Sequence, residues 1–284
     1  MYKRQGAYFG NGFEAILAED FLRAETKTLF VEAVVGHLHV MLALIDSAVL
    51  LLVFRHTNPE QTGKWYLAGM LLSIPGTVII AIGSWLVPVG YEKAHLVINV
   101  GATFALAAGL ILAAAGWRKT SRDVLGEQGD SASLGQRIVA VFKDPVRFGL
   151  CLQFIWVNFV VTLPGIYVAT NLEFFRTGVD AELERSFAVG HWHVLATLTA
   201  IIVLLLAFDY LDVRGPVRQV VGWTLILGSF FAFAFANAYM FHDLGVQPDF
   251  AFLMIDVGIL LFIAGITVFC FYMLIDIIKG RTGT

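Results

Sequence analysis

Two short boxes of histidine carry the chemistry of this chain. Gly36-His37-Leu38-His39-Val40 returns 154 residues later as Gly190-His191-Trp192-His193-Val194. Each box opens an apolar run long enough to cross a bilayer. A polar ring at a membrane boundary needs a partner, because an unsatisfied polar group there is costly. The usual partners of imidazole are haem iron, another metal ion or hydrogen-bonding groups. Residues i and i+2 of a helix lie about 200° apart around its axis. His37 and His39 therefore cannot ligate one iron from the same face; one looks into its own bundle and the other away from it. The same holds for His191 and His193.

His95 begins a further apolar run, and His242 ends another. His95 shares a helical face with Asn99, Ala102, Gly109 and Ala113, a strip against which a flat macrocycle could lie. Small residues also serve ordinary helix–helix packing in membranes. His39 shares its face with Ala43 and Asp46; His193 shares one with Thr197 and Ala200. Two imidazoles from facing helices are a standard way to hold b-type haem. The candidate ligands are thus His37, His39, His95, His191, His193 and His242, with His39 or His37 opposite His95 in the first half. Asp46, Asn99 and Asp256 lie within apolar runs and are candidates for proton uptake or for pairing with a haem propionate.

The elements that position these residues are membrane helices. Hydrophobic residues make up 58% of the 284 and charged residues 14%, with a mean hydropathy of +0.77. Soluble domains average about 45–50% apolar and about 25% charged. The chain reads as an all-α, polytopic membrane protein in contact with the lipid bilayer. Seven segments reach the length of about 20 residues that a span requires, near 32–54, 65–87, 93–116, 147–170, 188–209, 218–241 and 250–277. Residues 1–30 are too polar to cross and lack the basic start and apolar block of a signal peptide; they are expected along the outer surface. The segment 117–146 is expected as an exposed cytoplasmic loop. Cys151 and Cys270 lie in apolar runs, which argues against a disulfide framework, and no Cys-x-x-Cys-His attaches haem covalently. The net charge of −3 says nothing about nucleic acid, and the sequence has no basic, aromatic-interleaved patch to bind it, so no nucleic-acid partner is expected.

Seven spans place the termini on opposite sides. Twelve of the 19 Lys and Arg residues fall with the loops at 55–64, 117–147 and 210–218 and the C-terminus. The positive-inside tendency makes that side cytoplasmic and the N-terminus external, in a prokaryotic cell membrane. Six of the seven histidines then lie toward the outer face, and His56 alone lies toward the inner one.

The histidine boxes belong to a wider duplication. Phe21-Leu22-Arg23 and Phe174-Phe175-Arg176 precede them at similar distances. His95-Leu-Val-Ile-Asn99-Val-Gly101 matches Phe252-Leu-Met-Ile-Asp256-Val-Gly258 at an offset of 157. Residues 31–116, holding spans 1–3, therefore correspond to spans 5–7 within 147–284. Phe252 stands where His95 stands in the first copy, so two sites, if both exist, differ.

The H-x-H pair at a helix end resembles the haem-ligand helix of haem-copper oxidase subunit I, in which neighbouring histidines serve different haems. The copper-ligand motif His-Pro-x-x-Tyr of that family is absent. The duplicated bundle, with histidines on corresponding helices, is similar in layout to haem A synthase, without that family's Glu-x-x-x-His-Arg motif. Both resemblances imply a bundle carrying one or two b-type haems. With no soluble catalytic domain, the chain is expected to be one subunit of a redox complex. It would pass electrons between quinone or quinol and an extracytoplasmic c-type cytochrome or iron–sulfur protein. Two rival readings remain: an oxidase- or reductase-like catalytic subunit with an open-coordinate haem or a haem/metal pair, and a haem or metal transporter with no redox role. A site of three or four histidines for copper, zinc or iron alone is a further alternative. No Lys lies mid-span in the last helix, which disfavours a retinal protein.

Overall fold

In the computed structural model, residues 29–57, 64–91, 93–129, 131–171, 181–240 and 247–279 are described. They form helices α1 (Leu29–Thr57), α2 (Lys64–Leu86), α3 (Ala94–Leu125), α4 (Leu134–Phe142), α5 (Pro145–Val157), α6 (Leu163–Thr170), α7 (Ala181–Tyr210), α8 (Pro216–Met240) and α9 (Pro248–Ile278). No strand occurs among the described residues. Seven segments there are long and apolar enough to cross a membrane, with α5, a π-turn at Asn158–Thr162 and α6 together forming the fourth. The chain is a multi-pass helical membrane protein. The expected outer segment 1–30 lies outside the described residues, apart from Leu29 and Phe30 at the start of α1.

The expected loop at 117–146 is instead largely helical. α3 runs on to Leu125, a 3-10 turn covers Gly126–Gly129, and α4 follows. Polarity in this stretch marks where the helix leaves the bilayer and does not mark its end. Lys119 and Asp123 pair one turn apart at 3.2 Å on the extension. Ser133 and Gln136 close a capping box that starts α4. α4 then buries Ala140 and Val141, and Phe142 packs its ring 4.6 Å from that of Phe148.

Glycine sets how closely the helices touch. The two most extensive helix pairings are α2 with α3 and α8 with α9, which correspond in the two copies. A Cβ on Gly101 would lie 2.7 Å from the Gly76 carbonyl oxygen and from the Ile80 nitrogen. A Cβ on Gly258 would collide with Ala232, and one on Gly228 would lie 3.0 Å from the Gly258 carbonyl oxygen. Gly76 and Ile80 precede Gly228 and Ala232 by the same 152 residues. α8 and α9 thus cross as closely as α2 and α3 do. Backbone approach of this kind replaces hydrophobic driving force in lipid with van der Waals contact.

The fourth span is the most buried of the seven and the last is the least. α5 packs on α3 from the first copy and on α7 and α8 from the second, so it is the pillar between the halves. At one end of the bundle, a charged knot ties four helices around the Asp209 side chain of α7, which is 4% exposed. His56 Nε2 of α1 lies 2.6 Å from its Oδ2, Arg147 Nε of α5 donates to Oδ1 at 3.1 Å, and Arg218 of α8 donates to Oδ1 at 2.5 Å. Arg218 also grips Asp144 with two bonds of 2.9 Å, and Arg147 reaches Asp123 on the α3 extension at 2.9 Å.

Removing one member of a buried charge cluster leaves the others uncompensated, at about 3–5 kcal/mol. Asp209→Ala is expected to lower unfolding stability in detergent by that order. Arg214→Ala, whose side chain is 82% exposed, should change it by no more than about 0.5 kcal/mol. Denaturant unfolding of both variants followed by tryptophan fluorescence checks this.

Candidate functional site

At the bundle end opposite the Asp209 knot, a cleft separates the two copies. Its inner cavity measures about 250 Å³, and about 1360 Å³ of space is free of atoms when its open edge is counted. Small-molecule pockets typically fall between about 300 and 1,000 Å³. One face of α1 lines it with Gly36, His39, Ala43, Asp46 and Leu50, spaced at helical steps of three and four. α3 contributes His95, Asn99, Ala102, Ala105 and Gly109 along a single stripe. α7 contributes His191 and Leu195, α2 contributes Ile80 and Ser84, and the fourth span contributes Asn158, Thr162 and Gly165.

Three of the six candidate histidines thus meet on one cleft: His39, His95 and His191. His37 and His193 are exposed on the opposite sides of their helices, as the 200° separation requires. His242 lies outside the described residues. The two boxes are used differently. His39 looks into its own copy, whereas His191, at the position of His37, looks out of its copy across the seam. His39 and His191 line the same cleft from α1 and α7. Asp46 and Asn99 line the cleft; Asp256 does not, and sits on an exposed face of α9. In the second copy, Phe252 stands in place of His95 and packs its ring 4.4 Å from Tyr239. At that position the second half therefore has aromatic packing.

Several residues that shape the cleft escaped sequence reasoning. A Cβ on Gly165 would lie 2.9 Å from the His191 ring, so glycine at 165 makes the room that this imidazole occupies. Gly36 brings α1 against the Ser84 carbonyl, 2.7 Å from where a Cβ would be. The π-turn at Asn158–Thr162 widens the fourth span where it borders the cleft, a distortion frequent at functional sites. Pro164 has no N–H, so the Val160 carbonyl one turn earlier lacks its usual helical donor. Asn237 of α8 donates to it instead at 3.0 Å. The pattern Asn-x-x-x-Thr-x-Pro inside an apolar span was the available signal.

The lining can be compared with what a haem and a bare ion each require. Among the described residues, no three His, Cys, Asp or Glu side chains gather as a group that could hold a metal ion. A planar macrocycle needs only one or two imidazoles, together with walls that let it approach the backbone. Ala43, Ala102, Ala105, Gly109 and Gly165 provide such walls. Two buried oxygens on the lining, Asp46 Oδ1 and Ser84 Oγ, have no hydrogen-bond partner among the described residues. No protein-family model matches the chain, and no curated protein or solved structure shows significant similarity to it.

The Asn237 bond tests how the fourth span is held open. Asn237→Ala leaves the Val160 carbonyl without its side-chain donor and should cost about 1–3 kcal/mol of stability. Pro164→Ala restores a backbone N–H at the right place. The double variant is expected to recover part of the loss, measured as a double-mutant cycle on thermal unfolding.

Proposed function

We propose that this chain is the b-type haem-carrying subunit of a membrane electron-transfer complex. It exchanges electrons between quinol in the bilayer and a c-type cytochrome or iron–sulfur protein at the face where the histidines lie. The observation that carries this reading is that His39, His95 and His191, from three helices and both copies, border one cleft walled by glycine and alanine. The excess of Lys and Arg at the other end makes the histidine face the outer one of a prokaryotic cell membrane, with the N-terminus outside.

When bound, haem supplies a one-electron iron couple whose potential the protein sets through its axial ligands and surroundings. His39 and His191 would hold the haem: they border the cleft from α1 and α7, and Gly165 clears the space that the His191 ring needs. His95 borders the same cleft from α3 and can supply a hydrogen bond or a shifted local charge. Ala43, Ala102 and Ala105 let a flat group rest against α1 and α3, and the mainly apolar lining keeps water away from it. The Asp209 knot fixes α1 against α7 at the far end and so fixes the register of the two imidazoles. Placing one ligand in each copy explains why duplication did not yield two equal sites.

Visible spectra of the purified protein, oxidised and reduced, with iron analysis, test the reading. A Soret band and a sharp reduced α band are expected. His39→Ala and His191→Ala should each abolish them, His95→Ala should shift them, and His37→Ala and His193→Ala should leave them unchanged. Folded protein with no Soret band and no iron overturns the proposal. Carbon monoxide binding to the reduced protein would replace it with an open-coordinate, oxidase-like site.

A further inference from the structure

Below the histidines the cleft has a second tier, and it is differently built. Asp46 follows His39 by seven residues on the same face of α1, about 10 Å deeper at 1.5 Å per residue. Ser47 and Asn158 stand with it on the cleft lining. Hydrogen bonds to other acceptors occupy the Ser47 hydroxyl and one of the two Asn158 amide hydrogens. Thr77 Oγ1 donates to the Ser73 carbonyl at 2.8 Å. A hydroxyl has one proton, so in the bond between Ser47 and Thr77 the proton comes from Ser47. Asn158 gives an amide hydrogen to the Phe154 carbonyl at 2.6 Å. Among the described residues, buried Asp46 Oδ1 has no partner and no Lys or Arg lines the cleft.

An ionised aspartate inside a span is costly to hold, and such residues are functional candidates by default. Such a group persists where it has a function. The apolar layer beneath it indicates which. Continuing down α1, Val49, Leu50, Val53 and Phe54 are at most 6% exposed and pack in one cluster with Leu112, Leu150 and Phe154. That layer separates Asp46 from the charged knot at Asp209. The polar lining above Asp46 runs the other way, through Asn99 to the three histidines.

We propose that Asp46 is the proton-accepting terminus of the cleft, loaded from the histidine end, so that a negative charge arriving among the imidazoles is balanced by a proton on Asp46 Oδ1. One electron delivered to that tier adds one negative charge; one proton from water at the histidine end forms the O–H bond, and no other bond breaks. The titratable groups facing Asp46 are His39 from α1, His95 from α3 and His191 from α7. α2, the π-turn and α6 bring none to the lining. The coupling to an electron rests on the haem reading above; the protonation of Asp46 does not.

Infrared difference spectroscopy on the full chain in lipid nanodiscs, stepped in pH, reads the protonated-carboxyl C=O stretch directly. A titrating band is expected that is lost completely in Asp46→Asn and kept in Asp256→Asn. If Asp46→Asn fails to fold, ¹³C-aspartate labelling compared between the wild type and Asp46→Glu assigns the band instead. In liposomes, the band should follow pH changes on the histidine side and ignore those on the Asp209 side. With haem bound, the midpoint potential should depend on pH in the wild type and lose that dependence in Asp46→Asn. A band unchanged by Asp46→Asn overturns the proposal, as does one that answers to sodium and not to pH or one that follows the Asp209 side. Absence of haem with the band intact would sink only the haem reading. A haem whose potential ignores pH in the wild type would sink only the coupling.

Discussion

Everything in this bundle depends on one carboxylate. Asp209 is nearly inaccessible and gathers His56, Arg147 and Arg218 from three other helices. A buried ionic cluster adds little net stability over a well-packed apolar one, because desolvation offsets most of the attraction. What it adds here is register. Each of α1, α5, α7 and α8 has one axial position at which its charged group can reach Asp209. Sliding any of them by a turn, about 5.4 Å, strands a charge in lipid. Apolar helices in lipid have no hydrophobic force between them and slide easily against one another, so a fixed point of this kind has large structural leverage.

The cleft follows from where the tight packing is and is not. Within each copy, glycines bring α2 onto α3 and α8 onto α9 at backbone distance. Between the copies, α1 and α7 meet over a much smaller contact. With the helices clamped at the Asp209 end and drawn together inside each copy, the loosest place is the seam at the opposite end. The fourth span, which fills that seam, is itself interrupted by a π-turn and Pro164. Two tight halves, one clamp and a widened pillar leave a cavity where the histidine boxes face each other.

Much of this was legible in the sequence, for physical reasons that can be named. Hydropathy located all seven spans because every backbone polar group in lipid must be satisfied within a helix. The 200° step separated His37 from His39 correctly, since that depends only on helix geometry. Three things were not legible. Polarity after Trp117 looked like a loop, although a helix can leave the bilayer without ending, and the Lys119–Asp123 pair and the Ser133 capping box carry it on. Which histidine of the second box turns inward depends on which side of the seam its helix stands, a tertiary fact. Asp209 lies near the end of an apolar run, where an acidic residue ordinarily reads as a solvated terminus, and its three partners lie 153, 62 and 9 residues away in the chain.

Under the proposed function, one copy would carry the chemistry and the other would form part of the wall around it. Equivalent positions in a parallel repeat face equivalent directions only within their own halves. A cleft that opens on the seam must therefore draw the inward residue of one box and the outward residue of the other, His39 and His191. The inward position of the second box is then left without a role in that cleft. His193 is exposed, and the partner position that His95 occupies in the first copy is held by Phe252, packed on Tyr239. Replacing an imidazole by a ring of similar shape removes a polar group that has no ligand to serve and converts its site into packing. The second copy thus stiffens the wall against which the first copy's cleft is built, and His191 is its contribution to the site.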